Sequence, residues 1–184
     1  GRSQGPALSS IEKMADWVIH FMETVKLKRA KFIGHSMGAL VALDISSRYP
    51  QKVDKVCLMG VASKMPVHRD LLEAAKNNLS LASELIVSWG LGDNAQIGGH
   101  PLPGLWLNGS SKALLKNSLS GVLYQDLAAC DLYQSAILAA RIVRCPSLFI
   151  LGENDKMTPL SKSIELAESI QFSEINTIRD CGHM

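Results

Sequence analysis

The chain has 184 residues, 47% of them apolar and 20% charged, and a formal net charge of +2. This length suits one domain with a large insertion, and the apolar content argues against intrinsic disorder. The apolar runs are too short to cross a bilayer and no signal peptide opens the sequence, so we expect a cytoplasmic protein without a membrane partner. The low net charge and scattered Lys and Arg argue against a nucleic-acid partner. The four cysteines lack metal-finger spacing, so we expect free thiols and no metal.

Helices and short apolar strands alternate in the first third of the chain. Ser9 and Glu12 have the spacing of a capping box at the start of the first helix. The strands are short apolar runs, with residues 56–58 an uninterrupted apolar core, and such runs are typical of a parallel sheet buried on both faces. The spacing predicts helices over residues 9–27 and 37–48, and strands over residues 30–33 and 53–59.

Residues 63–144 are predicted to be a helical insertion without a convincing strand. Ser80 and Ser111 are the expected caps of two of its helices, and the Gly- and Pro-rich residues 98–104 are expected to be irregular. Residues 90–95 match the dinucleotide pattern G-x-G-x-x-A, but no helix is predicted after them, so we do not expect nucleotide binding. Helical patterns cover residues 69–79, 80–89, 111–120 and 121–140.

Strand and helix alternate again after the insertion. A strand is predicted over residues 147–151, then a helix with Pro159 as its first residue, then a strand over residues 174–178. Two strand–helix–strand units around a helical insertion predict an α/β fold with a parallel sheet.

The strongest chemical signal is the G-x-S-x-G sequence of residues 34–38, which lies between a predicted strand and a predicted helix. A tight turn there would expose the Ser36 hydroxyl above the sheet in a strained backbone conformation. The two flanking glycines are expected because a side chain would collide with the neighbouring helix or strand. The Met37 amide, at a helix N-terminus, could stabilise a developing oxyanion.

A serine hydroxyl is a weak nucleophile and needs a base, usually a histidine oriented by a carboxylate. His183 follows the last strand, in the chain order that this kind of sheet requires, and is the predicted base. Asp155 follows the preceding strand and is the favoured acid, with Glu153 and Asp180 as alternatives. The other histidines are set aside because they lie in a helix, in the turn itself or in the insertion: His20, His35, His68 and His100.

These segments resemble the α/β-hydrolase superfamily, in particular its small serine hydrolases with a helical cap. The similarity rests on residues 34–39, 145–159 and 181–184, and residues 1–3 resemble the end of a glycine-rich loop of the family. It implies an α/β-hydrolase core made of residues 1–62 and 145–184, with residues 63–144 as a cap over the substrate.

The resemblance also implies the chemistry of the site. Ser36 would be the nucleophile, His183 the base and Asp155 the acid in hydrolysis of a small-molecule ester, lactone or thioester, without a cofactor. His35, Trp89 and Trp106 are candidate substrate-binding residues, with Leu105 and Leu107 as possible lining. The same triad also serves C–C bond hydrolases and cofactor-free lyases or perhydrolases, and these remain alternatives. Epoxide hydrolases and dehalogenases are disfavoured because they have Asp where this chain has Ser36.

The ends of the chain depart from the family, which has about eight strands where this sequence predicts four. The second oxyanion donor of the family has no match here, and no helix follows His183. The expectation is therefore a fragment, and an inactive fragment is a further alternative. Its strand at residues 30–34 would leave an apolar edge exposed, which predicts poor solubility. The oligomeric state is left open.

Overall fold

A computed structural model describes residues 5–98 and 103–184 of the chain. The loop similarity at residues 1–3 and His100 lie outside these residues. The sheet has four strands, all parallel, in the order β1-β2-β3-β4. This confirms the predicted α/β class with a partial parallel sheet. The strands are β1 (Ala30–His35), β2 (Val53–Met59), β3 (Ser147–Gly152) and β4 (Ser173–Ile178).

Helices flank the sheet and make up most of the region between β2 and β3, where the sequence predicts a helical insertion. In the part of the chain that the structure describes, none of the helices is both long and apolar enough to cross a membrane. The helices are α1 (Ile11–Thr24), α2 (Met37–Arg48), α3 (Arg69–Asn77), α4 (Leu79–Gly90), α5 (Asp93–Gln96), α6 (Leu107–Lys116), α7 (Val122–Leu132), α8 (Ala136–Ile142) and α9 (Leu160–Glu168).

The N-cap of α1 lies one residue later than predicted, and the helix covers Ile11–Thr24 within the predicted residues 9–27. Ser10 has extended backbone angles, and its hydroxyl accepts a hydrogen bond from the Lys13 amide at 3.3 Å. Ser10 is therefore the N-cap. The Ser9 hydroxyl instead accepts from the Lys13 ammonium at 2.9 Å. The predicted capping box of Ser9 and Glu12 is wrong because the chain turns into the helix one residue later.

Three other predicted helix starts are also shifted. Asn78 caps α4, because its amide oxygen accepts from the Leu81 backbone, and Ser80 lies inside the helix. Ser111 lies within α6, which begins four residues earlier. Pro159 precedes α9 as its N-cap, with extended backbone angles, and is not the first helical residue.

The predicted helix over residues 121–140 is two helices, because Tyr133 interrupts it. Tyr133 has backbone angles outside the helical region, and its buried hydroxyl donates a hydrogen bond to Asp44 of α2 at 3.2 Å. Asp44 also forms an ion pair with Arg48, one turn further along α2. The buried Asp44 carboxylate needs partners, because a buried charge is costly unless it is paired. The hydrogen bond from Tyr133 meets part of this need and accompanies the break between α7 and α8.

The main core lies between the sheet and α2, α8 and α9. Phe149 and Leu151 of β3 pack with Leu43 of α2 and Leu166 of α9, and all four side chains are almost fully buried. This packing holds the sheet rigid, which matters because the loops at its carboxyl edge carry the candidate site. β1 is an edge strand of the described sheet, and its Ile33 side chain is 73% exposed.

Candidate active site

The candidate residues lie at one edge of the sheet, where the parallel strands end. Ser36 follows β1, Gly60 follows β2, Asp155 follows β3 and His183 follows β4. Binding sites in open α/β sheets form at this edge, outside the carboxyl ends of the strands. Residues separated by more than 140 positions in the sequence thus meet in space.

The turn at Ser36 has the strained backbone expected of it. Ser36 has φ 54° and ψ −120°, a region that residues with a side chain rarely occupy. Its amide donates to the Met59 carbonyl at 2.9 Å, which ties the turn to β2. A Cβ on Gly34 would lie 2.2 Å from the Gly38 carbonyl oxygen, so only glycine fits there.

Gly38 does not have the same reason to be glycine. An added Cβ at Gly38 would meet no heavy atom within 4 Å among the described residues. The predicted collision is therefore correct for Gly34 and wrong for Gly38, whose Cβ direction is open. Met37 is the first residue of α2, so its amide is among the first-turn amides that lack an acceptor within the helix.

His183 and Asp155 form a buried pair. His183 Nδ1 lies 2.8 Å from Asp155 Oδ2, and the two side chains are only 3% and 2% exposed. The other carboxylate oxygen accepts the amides of Met157 and Thr158, each at 2.8 Å. Burial alone would raise the pKa of Asp155, but the hydrogen bonds and charge of His183 and the hydrogen bonds from Thr158 lower it below its ordinary value. Asp155 is therefore an ionised acceptor, and His183 Nδ1 carries the proton between them.

The competing carboxylates lie elsewhere. Glu153 and Asp180 are exposed, and Glu153 accepts the backbone amide of Asp180 at 3.1 Å. Of the three candidate acids, Asp155 is the one that the structure brings to the His183 ring.

The second nitrogen of the His183 ring is buried and, within the described residues, has no hydrogen-bond partner. A buried polar atom without a partner is uncommon and needs an explanation. His183 and Ser36 line the same cavity, whose volume is about 350 Å³. Catalytic hydrogen bonds often tighten only when substrate is bound, so the free Nε2 is placed to serve Ser36 or a reacting group.

The cavity is lined by residues from this edge of the sheet and from the region between β2 and β3. Of the predicted substrate-binding residues, Trp89 lines the cavity, where its ring packs edge-on against His68. Trp106 and His35 are not among the described lining residues, and Trp106 is 69% exposed. Burial raises the pKa of the Cys130 thiol to about 12, so Cys130 is an apolar lining group and no rival nucleophile. The lining residues are Ser36, Met65, Pro66, Val67, His68, Leu71, Trp89, Leu127, Cys130, Lys156, Met157 and His183.

His35 contacts His183 and not the cavity. His35 Nε2 donates a hydrogen bond to the His183 carbonyl at 2.6 Å, and the two ring centroids are 4.8 Å apart. Burial lowers the pKa of His35, which favours the neutral ring that makes this bond. His35 thereby links the turn that holds Ser36 to the loop that holds His183.

Replacing His35 by alanine is expected to lower kcat by about 100-fold with little change in KM, since small displacements of reacting groups have effects of that order. His35→Gln keeps an N–H donor and should recover much of the loss. Steady-state kinetics of both variants, with thermal unfolding as a check on folding, measure this. Equal kcat values for the alanine variant and the unmodified chain would contradict a positioning role.

Glycines that sequence reasoning did not assign to the site pack its loops backbone to backbone. A Cβ on Gly152 would lie 2.2 Å from the Gly182 carbonyl oxygen, and one on Gly182 would lie 2.5 Å from the Gly92 amide nitrogen. The His183 amide donates to the Gly90 carbonyl at 2.8 Å. The glycines of the G-x-G-x-x-A sequence at residues 90–95 are therefore explained by close packing against the loop that carries His183, and not by nucleotide binding. Contacts of this kind leave no periodic signal in a sequence.

Comparison with known proteins places these features in a family. A family profile described as alpha/beta hydrolase fold matches residues 1–97. The chain is 28% identical over 187 residues to a Rhizobium rhizogenes protein described as a carbamate hydrolase, RutD, covering 95% of this chain and 68% of that protein. It is 25% identical over 188 residues to the 2-hydroxymuconate semialdehyde hydrolase of a Pseudomonas strain, covering 100% of this chain and 66% of that enzyme.

Solved structures show the same fold. The enol-lactonase from Burkholderia xenovorans superposes with a TM-score of 0.82 at 20% identity, covering 100% of this chain and 70% of that one. An esterase from Exiguobacterium antarcticum gives a TM-score of 0.84 at 20% identity, with the same coverage of 100% and 70%. The family profile spans more than half of the chain and the named relatives are hydrolases, so the chain is a hydrolase that belongs to the alpha/beta-hydrolase fold family.

Proposed function

We propose that the chain hydrolyses a small carboxylic ester, lactone or thioester through an acyl-enzyme formed on Ser36. The observation that carries this proposal is the buried pair of His183 Nδ1 and Asp155 Oδ2, 2.8 Å apart, with the free Nε2 of the same ring beside the Ser36 cavity. That arrangement suits a histidine that takes a proton on one nitrogen while a carboxylate holds the other.

In the first half of the reaction, Ser36 Oγ attacks the acyl carbon as its proton moves to His183 Nε2. The carbonyl oxygen takes the electron pair of its π bond, and the Met37 amide stabilises that negative charge. Collapse of this intermediate breaks the bond to the leaving group, which takes the proton from Nε2. Asp155 stabilises the imidazolium ion while it carries the extra proton.

In the second half, water attacks the acyl-enzyme and gives its proton to Nε2. The ester bond to Ser36 Oγ then breaks, Oγ regains the proton, and the carboxylic acid leaves. We further propose that the helices between β2 and β3 act as a cap, since Leu71, Trp89 and Leu127 from α3, α4 and α7 line the cavity above Ser36. An apolar cover excludes water and strengthens the charge interactions inside.

A fluorophosphonate probe tests the nucleophile directly. Ser36 Oγ is expected to displace fluoride and form a phosphonyl adduct on the peptide that carries Ser36, as located by mass spectrometry. Heat-unfolded protein is the control and should not react, because the hydroxyl is activated only in the folded site. Labelling at another residue, or equal labelling of the unfolded chain, would rule out this assignment.

C–C bond hydrolysis is the second candidate. The likeness to the 2-hydroxymuconate semialdehyde hydrolase favours it. A panel of 4-nitrophenyl esters and vinylogous diketones distinguishes the two candidates, since faster turnover of the diketones would favour cleavage of a C–C bond.

A further inference from the structure

The cavity beside Ser36 has an uneven charge distribution. Most of its lining is apolar, and Lys156 supplies a positively charged side chain. The described lining includes no aspartate or glutamate that would neutralise that charge from within the cavity. His68 also lines it, but its Nδ1 accepts the Asp70 amide at 3.2 Å and lies 3.7 Å from the Asp70 carboxylate, so Asp70 already occupies that nitrogen.

We infer that the cavity selects acyl groups that end in a carboxylate, and that Lys156 is the residue that binds this carboxylate. The inference rests on the proposed function, because it concerns the acyl group that Ser36 would receive. The cavity, at about 350 Å³, is at the small end of the range of roughly 300–1,000 Å³ for ligand sites, which suits a short chain. Its apolar wall would contact the methylene groups, and the ammonium would pair with the far end.

Lys156 forms a weak ion pair with Asp93. Lys156 Nζ lies 3.3 Å from Asp93 Oδ1, and the two side chains are 62% and 88% exposed. Ion pairs between exposed side chains contribute little because water and salt screen them. A substrate carboxylate that leaves water for the cavity can therefore compete with Asp93 for the ammonium. Asp93 then acts as an exchangeable partner that lowers the affinity for anions.

Two acyl groups of equal length test the selectivity. The mono-4-nitrophenyl ester of glutarate ends in a carboxylate where 4-nitrophenyl pentanoate ends in a methyl group. We expect a higher kcat/KM for the glutarate ester at low ionic strength, and Lys156→Met to lower the glutarate-to-pentanoate ratio by about tenfold. Asp93→Asn should raise the ratio, because it removes the competing carboxylate. Lys162→Met removes the same charge from α9, where Lys162 pairs with Glu165 at 3.0 Å, and should leave the ratio unchanged.

Binding of free glutarate separates this inference from the proposed function. Quenching of tryptophan fluorescence is expected to report glutarate binding through Trp89, and Lys156→Met, but not Lys162→Met, should weaken it. Glutarate binding that Lys156→Met weakens, without turnover of either ester, would overturn the proposed ester hydrolysis and leave the carboxylate site intact. Unchanged glutarate binding in Lys156→Met would overturn the carboxylate site whether or not the esters are cleaved.

Discussion

Replacing Ser36 by alanine is expected to lower kcat for ester hydrolysis on the order of 10⁶-fold, the scale of losing a nucleophile that acts with a paired histidine. The reason lies in the geometry of the turn. Ser36 has φ 54° in a turn where Gly34 approaches the Gly38 carbonyl, and the described cavity lining contains no other serine or threonine that could take its place. Steady-state release of 4-nitrophenol measures the effect.

The double variant Ser36→Ala/His183→Ala gives the sharper result. The effects of replacing residues that act as one unit are strongly non-additive. The double variant should therefore be no slower than either single variant. Ser88→Ala is the matched control, because Ser88 is exposed on α4, and its kcat should match that of the unmodified chain. Residual activity of Ser36→Ala within tenfold of the unmodified chain would mean that another group attacks the substrate.

Replacing Asp155 by asparagine is expected to lower kcat by about 10⁴-fold, because a neutral amide neither fixes the Nδ1–H tautomer of the histidine nor stabilises its cation. KM should change little, since Asp155 lies behind His183 and is not among the described cavity-lining residues. Asp180→Asn is the matched control. Asp180 is exposed and has φ 52°, a conformation that asparagine tolerates. Equal losses in the two variants would point to a general effect of charge and not to the contact with His183.

Asp155 also makes the free energy of unfolding of the chain depend on pH. Its pKa in the folded chain is below the ordinary value of 3.8. The ionised carboxylate therefore contributes stability that is fully present above the ordinary pKa and is lost as the pH falls through the folded pKa. The difference in unfolding free energy between the unmodified chain and Asp155→Asn should shrink below about pH 4. Urea unfolding from pH 7 to pH 3 measures this, and a constant difference would contradict it.

Local patterns predicted the parts of the fold that depend on local physics. The predicted bounds of α2 and β2, residues 37–48 and 53–59, are those of the structure. Each contains a short apolar segment, residues 39–43 in α2 and residues 56–59 in β2. Each also ends close to a proline or a glycine, Pro50 and Gly60 respectively, so local signals indicate where it ends. The turn at Ser36 was predictable for the same reason, since its glycine spacing and flanking elements are adjacent in the chain.

Contacts between distant segments could not be predicted in this way. Trp89 and Trp106 are both tryptophans of the predicted insertion, yet only tertiary packing decides that the first lines the cavity and the second is mostly exposed to solvent. The role of His35 depends on a carbonyl 148 residues away. Tyr133 breaks a periodic helix because a buried carboxylate on α2 needs its hydroxyl.

The hydrogen bond between the Gly90 carbonyl and the His183 amide has an evolutionary consequence. Gly90 ends α4, in the region that shapes the cavity, while His183 belongs to the chemistry that we propose. A relative that acquires new selectivity by exchanging these helices must keep a backbone carbonyl at the position of Gly90 and its close approach to Gly182, where a Cβ would lie 2.7 Å from the Gly90 carbonyl oxygen, or its imidazole loses its backbone tether. Under the proposed function, this contact couples substrate range to reactivity, and we expect successful exchanges to have their junctions outside it.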